Sequence, residues 1–173
     1  GFDGLLRERS ANLHGILNGL DERLWNPATD PALPHNFTPR RLTGKARCKT
    51  ALQHELGLNP EPTVPLVVVI SRLDSQKGID LIEAVWPRLL QRPLQFVLLG
   101  SGTAVAMDFW QQRQGSANGQ VSINLTFNEG LSRRLYGAAD LLLVPSRYEP
   151  CGLTQMIALK YGALPLVRRT AHQ

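Results

Sequence analysis

From residue 65 onward the chain carries five strand-length runs rich in Val, Leu and Ile: 65–70, 94–99, 121–127, 140–144 and 163–167. The first, Pro-Leu-Val-Val-Val-Ile, is apolar throughout. A run of that kind suits a strand covered on both faces, since a sheet open to water on one side alternates apolar and polar residues. Between the runs lie segments with helical spacing: 79–90 with Ile79, Leu81, Ile82, Val85, Trp86 and Leu89 on a broad apolar face, then 103–112, 129–136 and 154–161. Strand and helix thus alternate with short connections, the pattern of an α/β doubly wound parallel sheet. Pro87 predicts a kink or break in its helix, because proline lacks the amide proton and crowds the preceding turn.

The first 64 residues read differently. Residues 1–14 form a connector, and 15–17 are a short apolar run stopped by Asn18-Gly19, a turn pair. Trp25, Asn26-Pro27, Asp30-Pro31, Pro34 and Pro39 predict an irregular segment as far as Arg41. A helix is expected over 43–56, with Ala46, Leu52 and Leu56 apolar and Lys45, Lys49, Gln53 and Glu55 polar, stopped by Gly57. Residues 59–62 link it to the first strand. A chain of 173 residues suits one domain.

The formal charge of +5 comes from basic residues scattered in small groups, with no aromatic platform between them. That fits a phosphorylated small molecule or an acidic partner better than a nucleic-acid stripe, so no nucleic acid is expected. No apolar run approaches the ~20 residues that span a bilayer, and no charged-then-apolar leader opens the chain, so no membrane is expected. Cys48 and Cys151 lie far apart without metal-type spacing, and the four histidines show none either; the expected metal set is none.

Chemistry is expected where strands end, because ligands of open parallel sheets sit beyond the carboxyl ends of strands and before helix N-termini. The turn after 141–144 holds Glu149, Pro150, Cys151 and Gly152 ahead of a helix; its plain alternative is a tight turn with a solvated carboxylate. The turn after 65–70, residues 71–78, carries Arg72 and Lys77, a guanidinium fork and an ammonium suited to a phosphate pair. It lacks P-loop spacing, and its alternative is two solvated cations. Gly100-Ser101-Gly102 allows close approach of a ligand, and Phe127 can stack on a base or pack in the core. Cys151 has no histidine in the strand-end turns to serve as its base, and Glu149, the only acid in its turn, does not make the carboxylate pair of a glycoside hydrolase.

Taken together, Ile16-Leu17-Asn18-Gly19-Leu20-Asp21, Trp25-Asn26-Pro27 with Thr29-Asp30, Ser71-Arg72-Leu73 with Gln76-Lys77-Gly78, and Ser146-Arg147-Tyr148-Glu149-Pro150-Cys151-Gly152-Leu153-Thr154-Gln155 closely resemble the ADP-glucose-dependent bacterial glycogen synthases and plant starch synthases. Lys160-Tyr161-Gly162 and 165–170 continue the likeness, which covers nearly the whole chain. The resemblance implies a cytoplasmic retaining glucosyltransferase of GT-B architecture, two Rossmann-like domains facing across a cleft. Residues 1–20 would be the interdomain connector, and 21–173 part of the nucleotide-binding C-terminal domain.

Residue by residue, the resemblance implies that Arg72 and Lys77 bind the ADP phosphates and Glu149 holds the donor glucose. The backbone of Cys151, Gly152 and Leu153 would line the sugar, Thr154 would sit by the phosphates, and Gly100, Ser101 and Phe127 would face the adenosine. It implies no cofactor, ADP-glucose being substrate, and an α-glucan partner reached through the absent N-terminal domain. Phe127 replaces the tyrosine frequent in relatives, and Ile157 stands where wider GT-B relatives have a second glutamate, eight positions after the first. The likeness stops after Thr170. Without a partner domain the chain is expected to be inactive in transfer and to self-associate through an exposed sheet edge. The alternatives are a non-catalytic nucleotide- or sugar-binding module and a related enzyme that uses UDP-glucose.

Overall fold

In the computed structural model, which describes residues 1–114 and 118–169, the expected doubly wound sheet forms. Strands β1 (Leu66–Ile70), β2 (Gln95–Leu99), β3 (Val121–Asn124), β4 (Leu141–Val144) and β5 (Leu164–Val167) are all parallel and stand in the order β3-β2-β1-β4-β5. Part of the glycine turn at 115–119 and the chain end at 170–173, where the family likeness stops, lie outside the described residues.

Strand periodicity sends alternate side chains to two cores. Leu66, Val68, Val97, Leu99, Leu142 and Val144 pack beneath α2 (Thr43–Glu55), α5 (Glu129–Ala138) and α6 (Leu153–Lys160). Val67, Val69, Phe96, Leu98, Val121 and Ile123 pack beneath α3 (Ile79–Leu90) and α4 (Ala104–Gln111). There Trp86 and Trp110 meet edge to face at 5.0 Å, and Phe96 stacks on Trp110. Both faces of β1 and β2 are therefore covered, as their apolar runs require.

Three boundaries differ from expectation. Helix α3 runs through Pro87 without a break, because Ile82 and Trp86 bury the same helix against the sheet. Strand β3 ends at Asn124, where its last partner, Leu99, also ends; Phe127 lies beyond the ladder and is 87% exposed. Residues 1–14 are not wholly irregular: Asp3–Glu8 form α1 and Ser10–Asn12 a 3₁₀ turn, neither burying a residue.

Helix α2 docks by a face that its composition conceals. Ala46 is exposed, while Lys49 and Gln53 are buried with Cys48 and Leu52. Lys49 Nζ donates to Pro62 O (3.0 Å), Val64 O (2.6 Å) and Asp140 Oδ2 (2.7 Å), and Gln53 Nε2 donates to Glu61 O (3.0 Å) and Gln95 Oε1 (2.7 Å). These bonds offset the desolvation of the Lys49 ammonium and the Gln53 amide nitrogen, though Gln53 Oε1 is buried without a hydrogen-bond partner among the described residues, and they tie the linker at 59–64 to the lower end of the sheet.

One turn earlier, Lys45 Nζ donates to Gly137 O near the carboxyl end of α5 (3.2 Å). Burial is the main reason its pKa falls from 10.5 to about 8, outweighing the attraction of Asp140. Below pH 8 native and unfolded chains both hold the proton, and the native state carries the full cost of burying the charge. As pH rises through 8 the native state releases that proton while the unfolded chain keeps it, so stability increases by up to ~1.4 kcal/mol per pH unit. Burial raises the Cys48 thiol above 9.0, which works in the opposite direction at higher pH. Urea unfolding at pH 7, 8 and 9 should therefore show a gain between 8 and 9 that Lys45→Met abolishes; equal slopes in both proteins would refute this.

Candidate active site

The strand order reverses at β1, which has β2 on one side and β4 on the other. Strand β1 pairs with β2 over its full length but with β4 only at Val67↔Leu141 and Val68↔Leu142. Beyond those pairs β1 and β4 part, and a crevice opens between the turns at 71–78 and 145–152. Such switch points are where open α/β sheets bind ligands.

The two turns nonetheless interlock. Gly78 has φ +70°, and a Cβ there would lie 2.2 Å from Pro145 O, so only glycine permits both the left-handed backbone and the close approach. Asp74 Oδ1 accepts from the Lys77 amide (3.0 Å), closing the 3₁₀ turn Ser75–Lys77 and fixing where the Lys77 side chain starts. Lys77 Nζ then donates to Glu149 Oε2 at 2.7 Å, and Ser146 Oγ donates to the same oxygen at 3.1 Å. The pair is largely buried, with side chains 21% and 11% exposed.

These side chains and Thr154 line a cavity of about 90 Å³ between the parted strands. Helix α6 begins beside it at Gly152, whose φ of +66° turns the chain into the helix. An ammonium next to a helix N-terminus makes the floor attractive to an anion. Tyr136 is buried on α5, and burial pushes its hydroxyl up to about 12.

A second cavity of about 220 Å³ adjoins the first, with Ile70 and Ser71 in the wall of both. It is lined further by Arg72, Gly100, Ser101, Phe127 and Ser132. A Cβ on Gly100 would lie 2.0 Å from Ser71 O, so glycine lets β1 and β2 close together under this cavity. Phe127 stands exposed at its rim, available to a planar ligand and not part of the core.

The structure thus brings together Lys77, Glu149 and Thr154 in one cavity and Arg72, Gly100, Ser101 and Phe127 in the next. Arg72 and Lys77 do not share a wall: the Arg72 side chain is 66% exposed and pairs with Asp74 at 3.3 Å. Cys151, Gly152 and Leu153 line neither cavity. Gly152 caps α6, the Leu153 side chain is partly exposed, and Cys151 Sγ accepts from Asn18 Nδ2 at 3.3 Å, tying residues 13–20 to the turn. Three serines join the site without having been expected there: Ser71 carried the signal of a strand end and Ser146 that of lying three positions before the turn glutamate, whereas Ser132, inside α5, carried none. Among the described residues no group of three or more His, Cys, Asp or Glu converges as metal ligands, and no helix is long and apolar enough to cross a membrane.

Comparison with known proteins matches residues 64–171 to the family model described as glycosyl transferases group 1. The chain is 51% identical over 169 residues to a glycogen synthase from Leptothrix cholodnii, covering 98% of this chain and 35% of that protein. It is 49% identical over 170 residues to a glycogen synthase from Syntrophotalea carbinolica, with the same coverage. Its fold is similar to the catalytic domain of starch synthase IV from Arabidopsis thaliana bound to ADP and acarbose, with a TM-score of 0.92 and 43% identity over 98% of this chain and 35% of that one. The chain therefore spans about a third of the length of these relatives. With its parallel Rossmann-like sheet and a family match across more than half its length, the chain belongs to the group 1 glycosyl transferases.

Proposed function

We propose that this chain is the donor-binding portion of a glycogen synthase, whose parent enzyme transfers glucose from ADP-glucose to the non-reducing end of an α-1,4-glucan with retention. The observation that carries the reading is the Lys77–Glu149 pair at the switch point, placed between a helix N-terminus and a cavity with an aromatic rim. The adenosine occupies the larger cavity, with Phe127 stacking on the base and Gly100 and Ser101 beneath it. The diphosphate lies across Ser71 toward Lys77, Thr154 and the start of α6, with Arg72 reaching it from the rim. Glu149 accepts hydrogen bonds from glucose hydroxyls, and the backbone at 151–153 borders the sugar.

In the transfer step the bond from the glucose anomeric carbon to the ADP oxygen breaks, a glucan hydroxyl oxygen bonds to that carbon on the same face, and the hydroxyl proton passes to the departing diphosphate oxygen. Negative charge grows on the departing diphosphate. Lys77, Arg72 and the helix terminus stabilise that charge more than they stabilise the bound donor, which is how such groups lower a barrier. The acceptor surface and the exclusion of water belong to the rest of the parent protein. The 173-residue chain alone is therefore expected to bind nucleotide yet show no glucosyl transfer to glycogen.

Calorimetric titration with ADP, ADP-glucose and UDP tests this. Binding of both adenine ligands, weakened in Arg72→Ala and Lys77→Ala, is the expected result. Equal affinity for UDP would favour a UDP-glucose enzyme, and binding without any turnover by the full-length parent would favour a binding module. Self-association is proposed through edge strand β5, where Leu164 and Leu166 are 65% and 61% exposed; light scattering showing a monomer at high concentration would refute it. The reading places the parent in the cytoplasm, and its substrates need no separate cofactor.

A further inference from the structure

The crevice has a mechanical weakness: past Val68 and Leu142 no residue of β1 pairs with one of β4, yet Lys77 and Glu149 stand on opposite lips and meet at 2.7 Å. Besides the close approach of Gly78 to Pro145, Arg147 crosses the gap. Its amide donates to Gln76 O (2.8 Å), and its Nη1 donates to Ser75 O (2.6 Å). Nη1 and Nη2 also donate to Asp80 Oδ1 and Oδ2, both at 2.6 Å, a two-pronged fork on the first turn of α3. Residues 75 and 76, immediately before Lys77, and residue 80, three after it, are thus all held by a residue two before Glu149. Arg147 itself lines neither cavity.

We propose that Arg147 and Asp80 form a clasp across the parted strands that sets the separation of Lys77 from Glu149, making Arg147 a positioning residue for the diphosphate. This rests on the reading of the crevice as a nucleoside diphosphate site. The geometry is specific to arginine: a lysine is a point charge and cannot reach both carboxylate oxygens and a carbonyl in one plane. An ion pair this exposed contributes little to global stability on its own, so its fixed three-acceptor geometry marks a local task. The Arg147 guanidinium also holds the Asp80 carboxyl below its ordinary value.

The clasp acts on the phosphate end of the ligand and not on the base, so ADP and AMP separate it from a general loss of structure. Arg147→Ala, Arg147→Lys and Asp80→Asn should each weaken ADP binding about tenfold, a change of the size expected when one charged contact is misplaced. AMP affinity, measured by competition, should stay at the wild-type value. The exchanged pair, Arg147→Asp with Asp80→Arg, should recover part of the loss, and circular dichroism should show every variant folded. An unchanged ADP-to-AMP ratio in both Arg147→Ala and Asp80→Asn overturns the proposal.

If the wild-type chain binds neither nucleotide, the nucleotide reading fails, and the clasp is then decided by ¹⁵N-edited NMR of the Lys77 ammonium, assigned through its loss in Lys77→Met. A sharp signal in wild type that exchange-broadens in Arg147→Ala supports the clasp. A signal unaffected by the substitution, or absent from wild type, overturns it.

Discussion

Replacing Arg133 with methionine is expected to destabilise the chain by about 3–5 kcal/mol, the range seen when a buried charge loses its partner. The charge left behind is Asp30, whose side chain is fully buried. Its Oδ2 accepts from Arg133 Nη1 at 3.2 Å and from the Tyr161 hydroxyl. Arg133 also donates to Leu24 O (3.0 Å), and its guanidinium lies 4.6 Å from the centre of the Trp25 ring. One guanidinium therefore fastens the irregular stretch around 24–30 to helix α5. Burial, and then the bond to Asp30, push the Tyr161 hydroxyl above its ordinary value, so it remains a proton donor and cannot take over as counter-charge. Denaturant unfolding should show the loss, and Asp30→Asn combined with Arg133→Met should be markedly less damaging than Arg133→Met alone. A single substitution costing under about 1 kcal/mol, typical of an exposed pair, would refute the assignment.

That triad also marks where sequence reading ended. The sheet was legible because a strand covered on both faces is apolar along its length, a rule that 65–70 satisfies from residue type alone and 94–99 satisfies at every position but Gln95. Helix α2 was legible in extent but not in face: Lys49 and Gln53 look like solvent positions, and only acceptors from the linker and the sheet make them core. Asp30 and Arg133 stand 103 positions apart, and no local pattern pairs them. The site divides in the same way. Strand ends pointed to the turns at 71–78 and 145–152, and the family likeness named Lys77 and Glu149, which prove to be neighbours across 72 positions. The same likeness gave Arg72 the same task as Lys77; its side chain lines the neighbouring cavity beside Asp74, a placement that residue order does not reveal. The Arg147 fork was invisible because its role arises from the parting of β1 and β4, which depends on the register of the sheet.

The other large effect is expected at the Lys77–Glu149 pair, where the two members should respond in opposite directions. Lys77→Met should weaken ADP roughly 10–100-fold, the equivalent of a charge-assisted hydrogen bond of about 1.5–3 kcal/mol. It also leaves Glu149, only 11% exposed, facing the phosphates with no cation between them. In the free chain Glu149 occupies Lys77 at 2.7 Å, so an arriving diphosphate must compete with a carboxylate already in place. Glu149→Gln removes both that competitor and its repulsion of the phosphates, while Ser146 can still donate to the amide oxygen. ADP should then bind at least as tightly as to wild type. ADP-glucose should lose whatever advantage it holds over ADP, because an amide accepts sugar hydroxyls less strongly than a carboxylate does. Calorimetry on the two variants with both ligands decides the matter. Were Glu149→Gln to weaken ADP as much as Lys77→Met does, the carboxylate would be holding the lysine in place for the phosphate and not competing with it, and its assignment to the sugar would fall.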